Sequence, residues 1–329
     1  MVSIASSSVA YASPERGTWF VSIDNDSLAN SDDDYTSGLQ LGWVSGYLSD
    51  FNEAPIPEFI GNKLSEFSFL SGHHRQRFIS HSISHRIFTP GDTETSSEVI
   101  DDLPYSAILF ASLTAGAQDS RRMDALSFHY GLVGPAALGD QIQNEFHKLI
   151  GADPVNGWDH QLRNEPLLNL NYEHRKRLVE FGIQGDWKGD IIGQAGGAIG
   201  NLISMGTLGV GVRYGVGLKD DFYIPPQFFG EETIGSRPYT KSGNNESLVF
   251  FVLLNGSLVG NAIFWDGNTY KKSASVDYSR GIGRLYVGVV KRFNNFGISF
   301  ALTNTTVPWE NPDNKSFQTY GRLGFVFGF

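Results

Sequence analysis

Apolar and polar residues alternate along most of this chain with a period of two, the pattern of strands that have one face in an apolar medium. Trp19, Val21 and Ile23 fall on one face, and Phe20, Ser22 and Asp24 on the other. Next, Tyr35, Leu39, Leu41 and Trp43 oppose Thr36, Gly38, Gln40 and Gly42. Glycines inside such patterns, as at Gly38, Gly42 and Gly46, mark close packing, a bend or a bulge. Further strands are predicted over 76–88, 104–116, 123–133, 166–175, 178–190, 202–216, 246–256, 284–293, 296–305 and 318–329. That makes about twelve, an even number, as in single-chain bacterial barrels.

The last strand carries the most weight. Leu323, Phe325, Phe327 and Phe329 alternate with Gly324, Val326 and Gly328. A free aromatic edge strand invites aggregation, and closure against the first strand removes the edge. The competing reading is a buried central strand of a soluble sandwich. Long polar connections cover about 48–75, 89–103, 134–165, 219–245 and 306–317, with short turns at Lys176-Arg177 and Asn294-Asn295. Long loops at one rim and short turns at the other would give this layout. Gly196 to Gly200 reads as a turn.

One segment departs from the strand period. Gly139 to Gly151 predicts a short helix, with Asp140 as N-cap and Gly151 as its end. Ile142, Phe146 and Leu149 form an apolar stripe, and Gln143 and His147, four apart, share the neighbouring face. The stripe is expected to pack on the rim, with the polar face aimed at the barrel wall.

The longest apolar run, Leu248 to Leu254, is seven residues, whereas a spanning helix needs about 20. With a mean hydropathy of −0.19, two classes remain: a soluble all-β protein, or a membrane barrel in which only alternate residues face lipid. Composition adds to this. There are 38 glycines in 329 residues, where average usage would give about 23. No Cys is present, which removes disulfides, thiolate metal sites and a Cys nucleophile. A formal charge of −10 argues against a nucleic-acid binder and against a basic face on anionic lipid. Residues 1–13 are small and weakly apolar, and Ala10-Tyr11-Ala12 resembles a cleavage site. They read as a signal-peptide remnant or a flexible N-terminus, and 14–329 as one β-barrel domain.

Three places could carry chemistry. Asp24 and Asp26 share a face if extension continues past the first strand, and paired oxygens suit Ca²⁺; an Asx turn closing the strand is the commoner use of such residues. Asp32-Asp33-Asp34 could bind a cation or simply solvate a loop. Beside them, Thr36 shares its face with Gly38 and Gln40 and is expected to point into the lumen near Asp26. On the helix, His147 is a natural general base near neutral pH, with Gln143 one turn earlier to orient it or to donate to an oxyanion; a plain surface histidine is the alternative. His73, His74, His81, His85, His129, His160 and His174 form no HExxH pattern, and neither a GxSxG elbow nor a phosphate-binding loop occurs.

Taken together, these residues resemble a known family. Asp24-Asn25-Asp26 followed by Asp34-Tyr35-Thr36-Ser37-Gly38 is similar to the opening signature of the LpxR-type lipid A 3′-O-deacylases of Gram-negative outer membranes. Gly134-Pro135-Ala136, Gln143-Asn144 and His147-Lys148-Leu149-Ile150-Gly151 resemble the family's helix motif, and Gly157-Trp158-Asp159-His160-Gln161-Leu162 with Asn164-Glu165 continues the match. The resemblance implies a twelve-stranded barrel with its active site near the outer rim, where Ca²⁺-dependent hydrolysis removes the 3′-linked acyloxyacyl group of lipid A. It implies His147 as catalytic histidine, Asn25, Asp26 and Thr36 as active-site residues, Gln143 as the helix glutamine, and Asp26 as a Ca²⁺ ligand. One departure stands out: the family carries a functional Lys after a Thr-Pro or Ser-Pro element, but no Lys lies between Thr89-Pro90 and Lys148. Arg75, Arg77 and Arg86 are the candidates to replace it.

The reading is therefore an all-β, transmembrane antiparallel β barrel of about twelve strands with a short helix in an extracellular loop. It acts as a monomer in the outer membrane on lipid A or lipopolysaccharide, with Ca²⁺ as cofactor. The alternatives are a non-catalytic barrel (pore or binding protein) and an outer-membrane phospholipase.

Overall fold

The computed structural model describes residues 17–29, 37–72, 75–97, 102–218, 222, 246–310 and 315–328. The segment 1–13, the Asp32 to Asp34 run, Thr36, His73 and His74 lie outside them. Twelve strands close into one antiparallel barrel in sequence order. They are β1 (Thr18–Asn25), β2 (Ser37–Val44), β3 (Gln76–Phe88), β4 (Ser106–Gln118), β5 (Arg122–Val133), β6 (Glu165–Gln184), β7 (Trp187–Gly200), β8 (Ile203–Val216), β9 (Ser247–Ala262), β10 (Gly281–Arg292), β11 (Phe296–Thr306) and β12 (Phe317–Gly328). Three short helices lie in connections: α1 (Glu58–Glu66), α2 (Gly139–Ile150) and α3 (Ile263–Asp266). No described helix is long and apolar enough to cross a membrane.

Closure follows the predicted edge argument. β12 pairs with β1 from Thr18↔Gly328 to Asn25↔Gly321, so the aromatic end of the chain has a partner. The register sets Trp19 beside Phe327 and Trp43, and Ile23 beside Leu323 and Leu39. Alternation then inverts the usual globular plan. Trp19, Ile23, Leu39, Leu41, Ile83, Phe128, Tyr130, Val210, Phe250 and Val252 are exposed on the outside, while the side chains buried inside include many polar and charged ones beside an apolar cluster. An apolar exterior and a polar interior are what a bilayer-spanning barrel requires.

Buried ion pairs occupy the lumen. Asp24 pairs with Arg86 at 2.9 Å and with Arg322 at 2.5 Å. Asp190 pairs with Arg213 at 2.7 Å and Arg177 at 2.9 Å. Glycines make room for this packing: a Cβ on Gly116 would fall 2.1 Å from the Phe78 ring. At the mouth, Phe88 stacks on Phe264 of α3 with centroids 4.6 Å apart, and Trp265 and Trp309 extend the apolar cluster.

Several expectations change. Lys176-Arg177 is not a turn: β6 runs through it with a bulge between Arg177 and Val179, and the hairpin tip is Gly185-Asp186. Arg177 stays in the strand because its guanidinium reaches Asp190 across the hairpin. Gly196 to Gly200 is likewise the end of β7, paired with both β6 and β8 as far as Ala198, and the turn falls on Asn201-Leu202. The long connections are not all at one rim. Those after β1, β3, β5, β9 and β11 leave from the loop rim, whereas the connections after β2, which contains α1, and after β8 leave from the opposite rim, where β1 begins and β12 ends.

Candidate active site

The site elements start from one row of the sheet. Asn25 pairs with Ser37, Ser37 with Ile87, and Ile87 with Ala107, so one line crosses β1 to β4 at the loop rim. Neighbouring strands are about 4.8 Å apart, which puts Ile87 roughly 10 Å from Asn25. Alternation aims all four residues outward; Asp24, one step before Asn25, aims into the lumen and is sealed by Arg86 and Arg322.

Extension ends after Asn25. Asp26 opens a 3₁₀ turn, Asp26–Ala29, so Asp24 and Asp26 do not share a strand face as the sequence suggested. The Ser27 backbone N–H donates to Asn25 Oδ1 at 3.0 Å and to Asp26 Oδ1 at 2.7 Å. This is Asx-turn geometry, with the Asp26 carboxylate held in a buried position. Thr36 precedes Ser37, the partner of Asn25, but is itself outside the described residues.

The connection after β5 folds back over the outside of the wall. His85, outward on β3, donates from Nε2 to the Ala137 carbonyl at 2.8 Å. Ala137, Tyr105, Val155 and Trp158 cluster on Ile87 and Ala107, with Leu109 and Leu132 alongside. Burial pushes the Tyr105 hydroxyl up to about 12, so it packs against Trp158 as a neutral ring.

α2 grows from this anchor. Its N-cap is Leu138, in the left-handed region at φ 61°, and not Asp140, whose carboxylate accepts from Asn144 Nδ2 at 2.7 Å. Gly139 must be glycine: a Cβ there would lie 2.4 Å from that of Ala107 and 2.5 Å from the Trp158 ring. Gly151 ends the helix in the left-handed region, as predicted. Gln143 is buried and accepts from Trp158 Nε1 at 3.0 Å. Asn144 clamps Val155, accepting from its N–H at 2.8 Å and donating to its carbonyl at 3.2 Å.

His147 lies one turn beyond Gln143, and its Nδ1 is 2.5 Å from the Asp153 carbonyl. A carbonyl only accepts, so Nδ1 carries the proton and the neutral ring keeps its lone pair at Nε2. The expected apolar stripe does not pack on the rim: Ile142, Phe146, Leu149 and Ile150 are exposed. The wall instead takes Gly139 and Gln143, because the close approach at Gly139 fixes which face turns inward.

The substitutes considered for the missing Lys are used elsewhere. Arg75, at the opposite rim, pairs with Asp124 at 2.8 Å; Arg77 donates to the Ser49 carbonyl. Arg86 is at the right rim but inside the barrel, on Asp24. Nearest in sequence to the helix histidine is Lys148, which pairs with Glu145 at 2.5 Å on the exposed side of α2. For a metal, Asn25 and Asp26 offer oxygen only, the donor chemistry of a hard cation such as Ca²⁺. Among the described residues no group of three or more His, Asp or Glu gathers, so carbonyls, water or substrate oxygens would complete a shell. Sequence reasoning missed Asp153 and His85, since each acts through a loop carbonyl contact that no spacing encodes.

A closed barrel with a lipid-exposed wall, a packed polar lumen and a helix docked outside its rim defines an outer-membrane β-barrel protein. The family model for outer membrane protein LpxR matches residues 1–329. The chain belongs to the LpxR family and resides in the outer membrane. Its fold is similar to that of LpxR from Salmonella typhimurium, with TM-score 0.75 and 18% identity, covering 95% of this chain and 100% of that one. The β domain of the Bordetella autotransporter BrkA matches at TM-score 0.47 and 10% identity, over 95% and 99% of the two chains. Among curated proteins, no match to this chain was found.

Proposed function

We propose that this protein hydrolyses the 3′-linked acyloxyacyl ester of lipid A, as the family resemblance implies. The observation that carries the reading is the fixed tautomer of His147. With Nδ1 tied to the Asp153 carbonyl, Nε2 is the basic nitrogen and can take a proton from water as that water attacks the ester. Asp26, with the Asn25 amide oxygen, would hold Ca²⁺, which when bound supplies Lewis-acid polarisation of the ester carbonyl. Gln143 positions the helix through Trp158 and keeps its amide nitrogen as a donor on the face that carries His147. Thr36, next to the partner of Asn25, is assigned to orienting the substrate or the ion. Ion pairs buried in the lumen, Asp24 with Arg86 and Arg322 and Asp190 with Arg213, argue against an open pore.

Mass spectrometry of lipid A from cells expressing the protein, with Ca²⁺ or with EDTA, tests the reading. Loss of the 3′ acyloxyacyl mass with Ca²⁺ and its retention with EDTA are expected. Intact lipid A beside hydrolysed phospholipid would move the ester to a phospholipid; no change in either lipid would leave a non-catalytic barrel.

A further inference from the structure

We propose that α2 lies in the outer leaflet, with Ile142, Phe146, Leu149 and Ile150 among the acyl chains of the surrounding membrane. At 100° per residue Ile142, Phe146 and Leu149 span an arc of about 60°, and Ile150, in the last turn, extends it to about 100° on the wall side. The four are 47%, 52%, 82% and 59% exposed, although Gly139 and Gln143 of the same helix are buried. Gly139, Gln143 and Asn144 face the wall and the loop segment at Val155; Gln141, Glu145 and Lys148 take the remaining side and are exposed. An amphipathic helix with this division of faces rests at an interface, with its apolar side in the acyl boundary.

The occupant follows from continuity with the wall. The anchor beneath α2 includes Leu132 on the outer face of β5. Two and four residues back along the same face stand Tyr130 and Phe128, both exposed where the barrel meets lipid. The apolar face of α2 therefore continues a lipid-facing surface upward and beside the turn that carries Gln143 and His147. Acyl chains, not a protein partner, already cover that surface lower down.

Because the chain has no Cys, Leu149→Cys and Glu145→Cys each accept a single nitroxide. In vesicles of phosphatidylethanolamine and phosphatidylglycerol, the label at 149 should relax more with oxygen than with a nickel chelate, and the label at 145 should show the inverse ratio. Nickel dominance at both positions, or shielding of 149 from both reagents, would overturn the proposal. The readout does not involve hydrolysis, so its failure and that of the deacylase reading are told apart.

Discussion

Two histidines of this barrel invite comparison. His129 stands in the lumen with both ring nitrogens engaged: Nδ1 meets Ser112 Oγ at 2.6 Å, and Nε2 meets Asn171 Nδ2 at 2.9 Å. His147 stands on a helix outside the wall with Nδ1 on a carbonyl, and among the described residues nothing takes its Nε2. The amide donor at His129 Nε2 uses the lone pair that a base needs. In the lumen the polar groups pair with one another and hold the barrel closed, whereas at the outer rim His147 has one ring nitrogen that no described residue engages. The same division separates neighbours on β1, where Asp24 is sealed by two arginines and Asn25 faces outward.

Asp24→Ala should give the largest loss of stability, because it leaves two buried guanidinium groups without their carboxylate. About 3–5 kcal/mol is the expected scale, read from urea unfolding in detergent, and the fraction that remains folded should keep its activity. Inactive folded barrels would break the division between lumen and rim. His129→Ala should lower stability by about 1–3 kcal/mol, since Ser112 and Asn171 lose a buried partner; deacylation per folded barrel should stay at the wild-type level. Trp158→Phe removes one hydrogen bond to Gln143 and should lower stability by about 1 kcal/mol, with faster amide exchange confined to α2. Smallest of all, Lys148→Ala breaks an exposed pair with Glu145 and should change stability by about 0.5 kcal/mol or less. A large fall in deacylation from Lys148→Ala would instead show that this lysine takes the role left unfilled after Thr89-Pro90.

The barrel was largely legible because alternation is local: β1, β2 and β12 could be read from their own residues, and the register bears out their faces. Reading failed where local propensity and long-range pairing disagree. Gly196 to Gly200 looks like a turn by composition, yet lies between two strands whose ladders hold it extended. Lys176-Arg177 looks like a turn until Asp190 is placed opposite it. At the site, the spacing of Gln143 and His147 predicted a shared helix side. The contacts that orient them come from Trp158 and Asp153, which only the folded loop brings near. The stripe Ile142, Phe146 and Leu149 was legible as apolar; its outward direction was not, because Gly139 and Ala107 decide it from another strand.

The most direct test sets His147→Ala beside His129→Ala in one strain and reads lipid A by mass spectrometry. The account predicts folded barrel in both, the 3′ acyloxyacyl group lost with His129→Ala, and its removal slowed roughly 10²- to 10⁴-fold with His147→Ala. Wild-type deacylation by the His147→Ala barrel would contradict it.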